Sequence, residues 1–348
     1  MRILLWHVHG SWTDAFVHGS HEYLLPTDAD RSAWGLGRGG RDWPANAREV
    51  SIELLTLADF DLVVLQRTEE IDEVRTRLGV EPGVDVPAIF VEHNTPRAHV
   101  PDTVHPLADQ SAIPIAHVTH FNALMWDNGT APVAVIEHGI RDPGHLYSGE
   151  IERLAFVANE PVRRRRVLGT DLVETIAESV PVDAFGIGTE KLIDAAPAAL
   201  VRPEIRTGGG TGPEARLVPH GDIPLAELHP LVAKRRAYLH PVRWTSLGLS
   251  LLEAMHLGMP VIVLAATEAI RAVPPEAGLL TTDPREMVDM ARRLIADPAL
   301  ADDMGQAARA HALQRYGLPR FLREWDELLT EVADHGRAHA LSRAAPGL

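Results

Sequence analysis

The stretch 240–264, HPVRWTSLGLSLLEAMHLGMPVIVL, constrains the fold of this chain more than any other part of it. It is the pattern of a strand end, a loop, a helix, a turn and a second strand. Thr245 and Ser246 are good helix N-cap residues, and the apolar residues after them have the spacing of a core-facing helix. Gly258 ends this predicted helix, and Pro260 opens an apolar run typical of a buried strand. The stretch therefore predicts one repeat of a parallel α/β sheet.

One carboxylate, Glu253, lies inside this mostly apolar helix. Burying a carboxylate is costly unless it is paired or hydrogen-bonded, so Glu253 needs a partner. A carboxylate can accept hydrogen bonds from both hydroxyls of a cis-diol, and the start of the helix is a ready anion site. An anion beside a hydroxyl-rich group describes a nucleotide sugar. The alternative is a carboxylate capped by a neighbouring backbone group or arginine.

Short apolar runs alternate with helical patterns along the whole chain, which is the rhythm of doubly wound parallel sheets. Predicted strands are 3–8, 62–65, 88–91, 113–118 and 133–136, then 155–158, 182–186, 217–219, 237–240 and 261–264. Predicted helices include 44–58, 69–78 and 318–334, and 141–150 is a plausible linker because of its proline and glycines. The glycine-rich stretch 208–212 is predicted to be a surface loop. We expect two Rossmann-like α/β domains that face each other across a cleft.

Composition narrows the function classes. A chain of 348 residues is longer than one core usually organises, which favours two domains. Its net charge of −15 makes it a poor binder of nucleic acid. Without cysteine it has no disulfide or zinc-thiolate site. The N-terminal apolar run is too short for a signal peptide, and no run is long enough to span a membrane, so we expect a cytoplasmic protein.

The opening stretch resembles a known family. Leu249, the LEAM run at 252–255, Gly258 and Pro260-Val261 match the donor-site signature of the retaining family-4 glycosyltransferases of GT-B architecture, the glycosyl transferases group 1. The resemblance implies an N-terminal acceptor-side domain at 1–148, completed by a terminal helix at 318–335 that crosses back onto it. It implies a C-terminal nucleotide-sugar donor domain at 149–317.

The resemblance also implies roles for residues of the second domain. Glu253 would bind the ribose hydroxyls, and Thr245 stands where the family has its first glutamate, in contact with the donor sugar. The run 163–166 is predicted to lie on a short loop after the first strand of the second domain. Two of its arginines would clamp the diphosphate, with Arg163 and Arg166 as the best matches; the alternative is a solvated basic turn or a surface for an acidic partner. Backbone amides at the helix start would also bind the diphosphate, namely those of Ser246, Leu247, Gly248 and Leu249.

In the first domain, the resemblance places Gly10 at a turn close to the donor or acceptor, and His93 opposite the donor sugar. Three further residues at strand ends are possible cleft residues: His120, Asn122 and His138. The family needs no metal and no cofactor beyond the nucleotide sugar, which is its substrate. We therefore interpret the His7–His9 pair and the acidic pairs near Asp28 and Asp59 as surface or structural features.

Three hypotheses follow. The first is a metal-independent glycosyltransferase that moves a sugar from a nucleoside-diphosphate sugar to an acceptor with retention of configuration. The acceptor could be a small molecule, a glycan or a lipid-linked molecule. The second is a nucleotide-sugar epimerase of the same architecture, with acid–base residues such as Glu92. The third is a non-catalytic sugar-nucleotide-binding protein, motivated by Thr245 in place of the family glutamate.

Overall fold

The structure is a computed structural model that describes residues 1–201 and 215–344, with the backbone alone for 337–344. The stretch 208–212, predicted to be a surface loop, lies outside the described residues. Contacts divide the chain into two compact units, one of Met1–Gly139 with Leu318–Leu348 and one of Ile140–Gly317. Each unit is built on a parallel β-sheet.

The first unit contains a seven-stranded sheet. Its strands are β1 (Arg2–Leu5), β2 (Glu22–Thr27), β3 (Ala47–Ser51), β4 (Leu62–Leu65), β5 (Ala88–Glu92), β6 (Ile115–His117) and β7 (Val133–Val135). They lie in the order β3-β2-β1-β4-β5-β6-β7. The chain leaves β1 toward β2 on one side and returns on the other side as β4, so the topological switch point lies beside β1.

The second unit contains a six-stranded sheet. Its strands are β8 (Ile151–Val157), β9 (Val182–Phe185), β10 (Leu217–Pro219), β11 (Arg235–His240), β12 (Val261–Leu264) and β13 (Gly278–Thr281). They lie in the order β10-β9-β8-β11-β12-β13, which places a switch point between β8 and β11.

Helices connect these parallel strands and pack on the sheets. In chain order they are α1 (Gly10–Phe16), α2 (Glu69–Leu78), α3 (His120–Met125), α4 (Pro161–Leu168), α5 (Thr170–Ala177), α6 (Leu192–Ala195), α7 (Ala198–Val201), α8 (Leu225–Val232), α9 (Leu249–Leu257), α10 (Ala269–Ala272), α11 (Pro284–Ala296), α12 (Pro298–Arg315) and α13 (Leu318–Ala344). Short 3-10 helices cover Leu57–Asp59, Thr189–Lys191 and Pro275–Ala277. None of the described helices combines the length and apolar character needed to cross a membrane.

The strands are apolar because both faces of each sheet are covered. All four residues of β4 and of β12 are buried, for example, as expected of central parallel strands. The terminal helix α13 completes the core of the first unit with residues spaced four apart, Phe321, Trp325 and Leu329. Trp325 meets the Trp12 ring at a centroid distance of 5.5 Å.

Two predictions about elements are wrong. The predicted helix 44–58 contains instead β3 and the 3-10 turn Leu57–Asp59. Pairing of β3 with β2, a strand that the sequence did not predict, outweighs the local helical pattern. The arginines 163–166 lie on α4 and not on a loop, and the backbone of Arg165 departs from helical geometry within it.

The segment 140–148, expected to close the first domain, is grouped with the second unit. Tyr147 explains this grouping, because its hydroxyl donates to the carbonyl of Arg236 at 2.7 Å and its amide to that of Leu257 at 3.1 Å. The guanidinium of Arg309 also binds Asp142 at 2.8 Å. These contacts fasten the segment to β11, α9 and α12.

Candidate functional site

The first turn of α9 lies over the carboxyl ends of β8 and β11, at the switch point of the second sheet. The Tyr238 hydroxyl donates to Ser250 Oγ at 2.8 Å, and Ser250 Oγ donates to the carbonyl of Val157 at 3.4 Å. Tyr238 lies on β11 and Val157 ends β8, so these bonds fix the helix start above both strands. Ligands of open α/β sheets bind at this position.

The helix begins later than the sequence predicts. Thr245 and Ser246 are not its caps, because α9 starts at Leu249 with Gly248 as the N-cap, and no side chain caps it. Ser246 and Leu247 instead lie in the preceding loop, where both are buried and Leu247 belongs to the core. Thr245 is half-buried in the same loop. An N-terminus without a side-chain cap leaves backbone amides available to an anion.

Gly248 is explained by packing as well as by its place at the helix start. A Cβ on Gly248 would lie 2.5 Å from Cε1 of His240, so the imidazole occupies the space of a side chain. His240 ends β11 and is only 3% exposed. Burial lowers the pKa of His240 to about 4, so the ring is neutral. The sequence did not single out this histidine.

Glu253 finds a partner on a neighbouring helix. Its Oε2 lies 3.5 Å from Nε2 of His229 on α8, and each side chain is 14% exposed. Glu253 is one helical turn beyond the start of α9, so its carboxylate and the open amides belong to the same short helix. His229 is a residue of this site that sequence reasoning missed.

Arginines of the run 163–166 pair with three carboxylates: Arg163 with Glu160, Arg165 with Glu174, and Arg166 with Asp171 near the loop that precedes α9. Arg166 Nη1 lies 3.2 Å from Asp171 Oδ2, and Arg243 binds the same carboxylate through two bonds of 2.6 and 2.9 Å. Arg243 lies on that loop, and its amide donates to the carbonyl of Val167 at 2.9 Å. Burial alone would raise the pKa of Asp171, but the bonds and charge of Arg243 outweigh it and hold the pKa below its usual value. Two cations thus share one acid next to the loop.

Arg163 does not join this group. Its Nε lies 3.8 Å from Glu160, and its side chain is 71% exposed. Lys191 lies 3.3 Å from the same carboxylate. The predicted pair of arginines is therefore separated, and Arg243, which the sequence did not suggest, stands beside Arg166.

His93 is part of a buried aromatic cluster at the carboxyl edge of the first sheet. Its Nε2 lies 3.1 Å from Gln66 Oε1, and its ring lies 4.0 Å from the His9 ring and 5.2 Å from the Trp12 ring, centroid to centroid. His138 is also buried. Burial, and then the charge of neighbouring histidines, lowers the pKa of His93 well below its usual value. Burial likewise lowers the pKa of His138 to about 4. The cluster is a set of neutral imidazoles.

The remaining candidates of the first unit have different surroundings. His120 is exposed at the start of α3. Asn122 is fully buried, and its backbone N–H donates to Thr119 Oγ1 at 3.0 Å, so the cap of α3 is formed by the Thr119 side chain. Gly10 begins α1, and a Cβ there would lie 2.8 Å from Nη2 of Arg41. Gly10 is therefore covered by an arginine that the sequence did not single out.

The residues considered as metal ligands have other partners. Asp28 accepts a bond of 2.9 Å from the amide of Ser32, and Asp59 closes a capping box with Thr56. His7 Nδ1 lies 3.1 Å from the carbonyl of Gly37. Within residues 1–201 and 215–336, no three or more His, Cys, Asp or Glu side chains are grouped so that they could hold a metal ion.

The α9 segment matches the model of a known family. Residues 187–297 match the family model of glycosyl transferases group 1. This match contains α8, α9 and the loop between β11 and α9. It confirms the resemblance seen in the sequence at the level of glycosyl transferases group 1.

Solved structures confirm the fold. HepE of Anabaena, solved in complex with UDP, has a TM-score of 0.68 and 14% identity over 95% of this chain and 99% of its own. Sucrose-phosphate synthase of Thermosynechococcus elongatus has a TM-score of 0.66 and 14% identity over 95% of this chain and 99% of its own. AviGT4, a glycosyltransferase involved in avilamycin A biosynthesis, has a TM-score of 0.63 and 15% identity over 96% of this chain and 98% of its own. The predicted α/β fold of GT-B type, with two Rossmann-like domains, is thereby confirmed.

Proposed function

We propose that this chain is a glycosyltransferase that transfers a sugar from a nucleoside-diphosphate sugar to an acceptor, with retention of anomeric configuration. The observation that carries the proposal is the start of α9. It presents uncapped amides at a sheet switch point, with Glu253 one turn further along the helix. The family match over 187–297 and the UDP-glucose complex of HepE support a nucleotide-sugar donor.

The two parts of the donor would be bound by groups of opposite charge, the diphosphate by positive groups and the ribose by a carboxylate. We assign the diphosphate to the helix start and its loop, from Ser246 to Leu249, because backbone amides and the positive helix end favour an anion. Arg166 would add a forked guanidinium, with Arg163 as the more distant second candidate. Glu253 would accept hydrogen bonds from the ribose hydroxyls, exchanging its contact with His229 for two short charge-assisted bonds.

Bond cleavage would depend on stabilising the leaving group. The bond between the anomeric carbon and the diphosphate oxygen breaks, negative charge grows on the departing diphosphate, and the acceptor hydroxyl forms the new bond while its proton passes to the departing phosphate oxygen. Preorganised amides and guanidinium groups stabilise such charge in the transition state. Thr245 in place of the family glutamate would give the sugar a neutral hydroxyl contact. We assign His93 as the second catalytic candidate, a neutral imidazole able to hydrogen-bond to the sugar.

Other residues of the first unit are assigned lesser roles. Gly10 would contact the donor through its backbone, and His138 would lie near the reacting groups. His120, exposed on α3, would serve the acceptor, whereas Asn122 would act through the cap of that helix. The acceptor itself would be a small molecule, a glycan or a lipid-linked molecule.

A thermal-shift screen of nucleoside diphosphates and their sugars tests the proposal, because a specific ligand stabilises the folded state by mass action. We expect one nucleoside diphosphate and its sugar to raise the melting temperature above all others. The sugar that binds should then release free nucleoside diphosphate in step with product when acceptors are added. Isomerised nucleotide sugar without such release would indicate an epimerase, and binding without turnover a non-catalytic protein. No shift with any nucleotide would contradict the proposal.

A further inference from the structure

His240 lies directly beneath the N-cap of α9. Of its ring atoms, Cε1 is 2.5 Å, Nε2 3.2 Å and Nδ1 3.6 Å from the position of a Cβ on Gly248. These three atoms form the edge of the imidazole that carries both nitrogens. The polar edge of the ring therefore faces the start of the helix, where glycine provides no side chain to cover it.

This polar edge has no protein partner within the described residues, although His240 is only 3% exposed. Its one described ring contact is with Tyr238, at a centroid distance of 6.1 Å. Two other histidines of this unit each have one described contact, although the buried Nε2 of each lacks a hydrogen bond. His256 Nδ1 lies 2.8 Å from the carbonyl of Leu252, and His229 lies beside Glu253. Neither ring nitrogen of His240 is among the fully buried atoms that lack a partner, so this edge is accessible to a ligand at the start of α9.

The charge state of the ring suits an anion held by hydrogen bonds. Burial lowers the pKa of His240 to about 4, so at neutral pH the ring carries one N–H donor and no charge. An imidazolium would be disfavoured beside the positive end of α9, whereas a neutral N–H is not. A phosphate oxygen bound by the first amides of α9 would be able to accept that N–H.

We propose that His240 is a donor-binding residue whose ring N–H donates to an oxygen of the diphosphate at the start of α9. The proposal rests on the proposed function, since it assigns a further group to the same nucleotide-sugar site. It also gives a second reason for glycine at position 248, because a larger residue there would displace the His240 ring from the diphosphate site.

The test is titration calorimetry with UDP and with uridine on the full chain, with the nucleotide chosen by the screen in place of UDP if the two differ. His240→Phe keeps the buried aromatic volume and removes both nitrogens. The matched control is His145→Phe, because His145 packs against Gly258 at the opposite end of α9. We expect His240→Phe to weaken UDP binding about tenfold or more and uridine binding by less than twofold, since one hydrogen bond to a charged group is lost. The control should match the wild type.

The outcomes separate the two proposals. A folded His240→Phe variant with wild-type UDP affinity would overturn the role of His240 and leave the proposed function standing. A wild-type chain that binds no nucleoside diphosphate would overturn both. If His240→Phe loses its thermal transition, His240→Met decides the question, because its unbranched side chain fills the space and carries no N–H donor. UDP affinity within about twofold of wild type in that folded variant overturns the role, and a loss of about tenfold with uridine binding unchanged supports it.

Discussion

Glu253 and His229 form the pair on which the assignment of the ribose site depends. The 3.5 Å contact joins two side chains that are each 14% exposed, so neither is fully shielded from solvent. A ribose diol could replace the imidazole as the partner of the carboxylate, and would add hydrogen bonds that the 3.5 Å contact with His229 does not make. The pair would then hold Glu253 in place while the site is empty.

Glu253→Ala should weaken binding of the nucleotide sugar by about 2–4 kcal/mol, because two charge-assisted hydrogen bonds are lost. Glu253→Gln should lose less, since the amide still accepts one hydroxyl. Titration calorimetry measures both, and the melting temperature checks the fold. Glu276→Ala, at an exposed acid of the same unit, is the control. Wild-type donor affinity in Glu253→Ala would rule out the ribose assignment.

At the residue scale, the sequence identified the Glu253 carboxylate as a candidate but not the side chains that surround it. Glu253 stands out because a carboxylate within an apolar helix needs a partner. His229 is 24 positions earlier in the chain, and His240 became notable only through its contact with Gly248. Such partners arise from the packing of α8 and β11 against α9, which no local pattern encodes.

At the scale of elements, α4 and the loop between β11 and α9 form one basic surface. Asp171 at the start of α5 holds Arg166 of α4 and Arg243 of the loop, so the three side chains carry one net positive charge. Arg163 stands with Glu160 at the other end of α4. The four arginines are alike in sequence. The carboxylate that Arg163 or Arg166 pairs with determines whether it lies beside the loop or away from it.

Arg166→Ala should weaken UDP binding about fivefold or more with little effect on uridine, because a guanidinium contact to phosphate is lost. Arg163→Ala should have a smaller effect on both ligands. The control is Arg285→Ala, whose side chain is 88% exposed and paired with Asp283. Titration with the two ligands on each variant measures the difference. Equal and negligible effects of Arg166→Ala and Arg163→Ala would show that α4 is only a solvated basic face.

Elements with strong apolar patterns were predictable, and elements defined by pairing were not. The runs that became β4 and β12 are buried throughout, so their composition alone identified them. The strand β3 has two exposed residues, Arg48 and Glu49, and lies at the edge of its sheet. Only its pairing with β2 makes it a strand, which explains why 44–58 was predicted as a helix. The start of α9 was misplaced for a related reason, since burial of Leu247 in the core keeps the loop from joining the helix.

At the scale of the whole molecule, both units bury several neutral imidazoles. Burial lowers the pKa of His117, His138 and His240 to about 4 each, and it holds the pKa of His93 well below its usual value. Burial acts oppositely on one carboxyl, raising the pKa of Glu70 to about 7. These four histidines therefore oppose Glu70 in their effect on the acid stability of the fold, and four others whose pKa values burial also lowers act in the same direction.

The free energy of unfolding should fall as the pH is lowered from 7 to 5. A histidine whose pKa is about 4 when folded and 6.5 when unfolded binds its proton more readily in the unfolded chain, so acid favours unfolding in this window. Urea titrations at pH 7, 6 and 5 measure the change. His138→Gln should reduce the slope, and His120→Gln, at an exposed histidine, should leave it unchanged. Stability that is constant or higher at pH 5 would contradict this account.

The distribution of charge in the whole molecule bears on whether the reaction needs a metal ion. The chain has a net charge of −15, yet the start of α9 and the Arg166–Arg243 group present positive potential beside one carboxylate, Asp171. Asp61, the neighbour of Asp59, accepts a bond of 2.7 Å from the amide of Arg2. Together with the bonds to Asp28 and Asp59, this gives the acidic pairs structural duties that coordination of a cation would disturb.

Turnover should therefore survive chelation, because amides and guanidinium groups meet the charge of the departing diphosphate. The assay is release of nucleoside diphosphate with EDTA, and then with added magnesium or manganese. We expect less than a twofold difference between these conditions, since no step of leaving-group departure passes through a cation. Asp28→Asn and Asp59→Asn should lower thermal stability without changing turnover. A complete loss of activity with EDTA, restored by added metal, would contradict the proposal and make these acids and the His7–His9 pair candidate ligands.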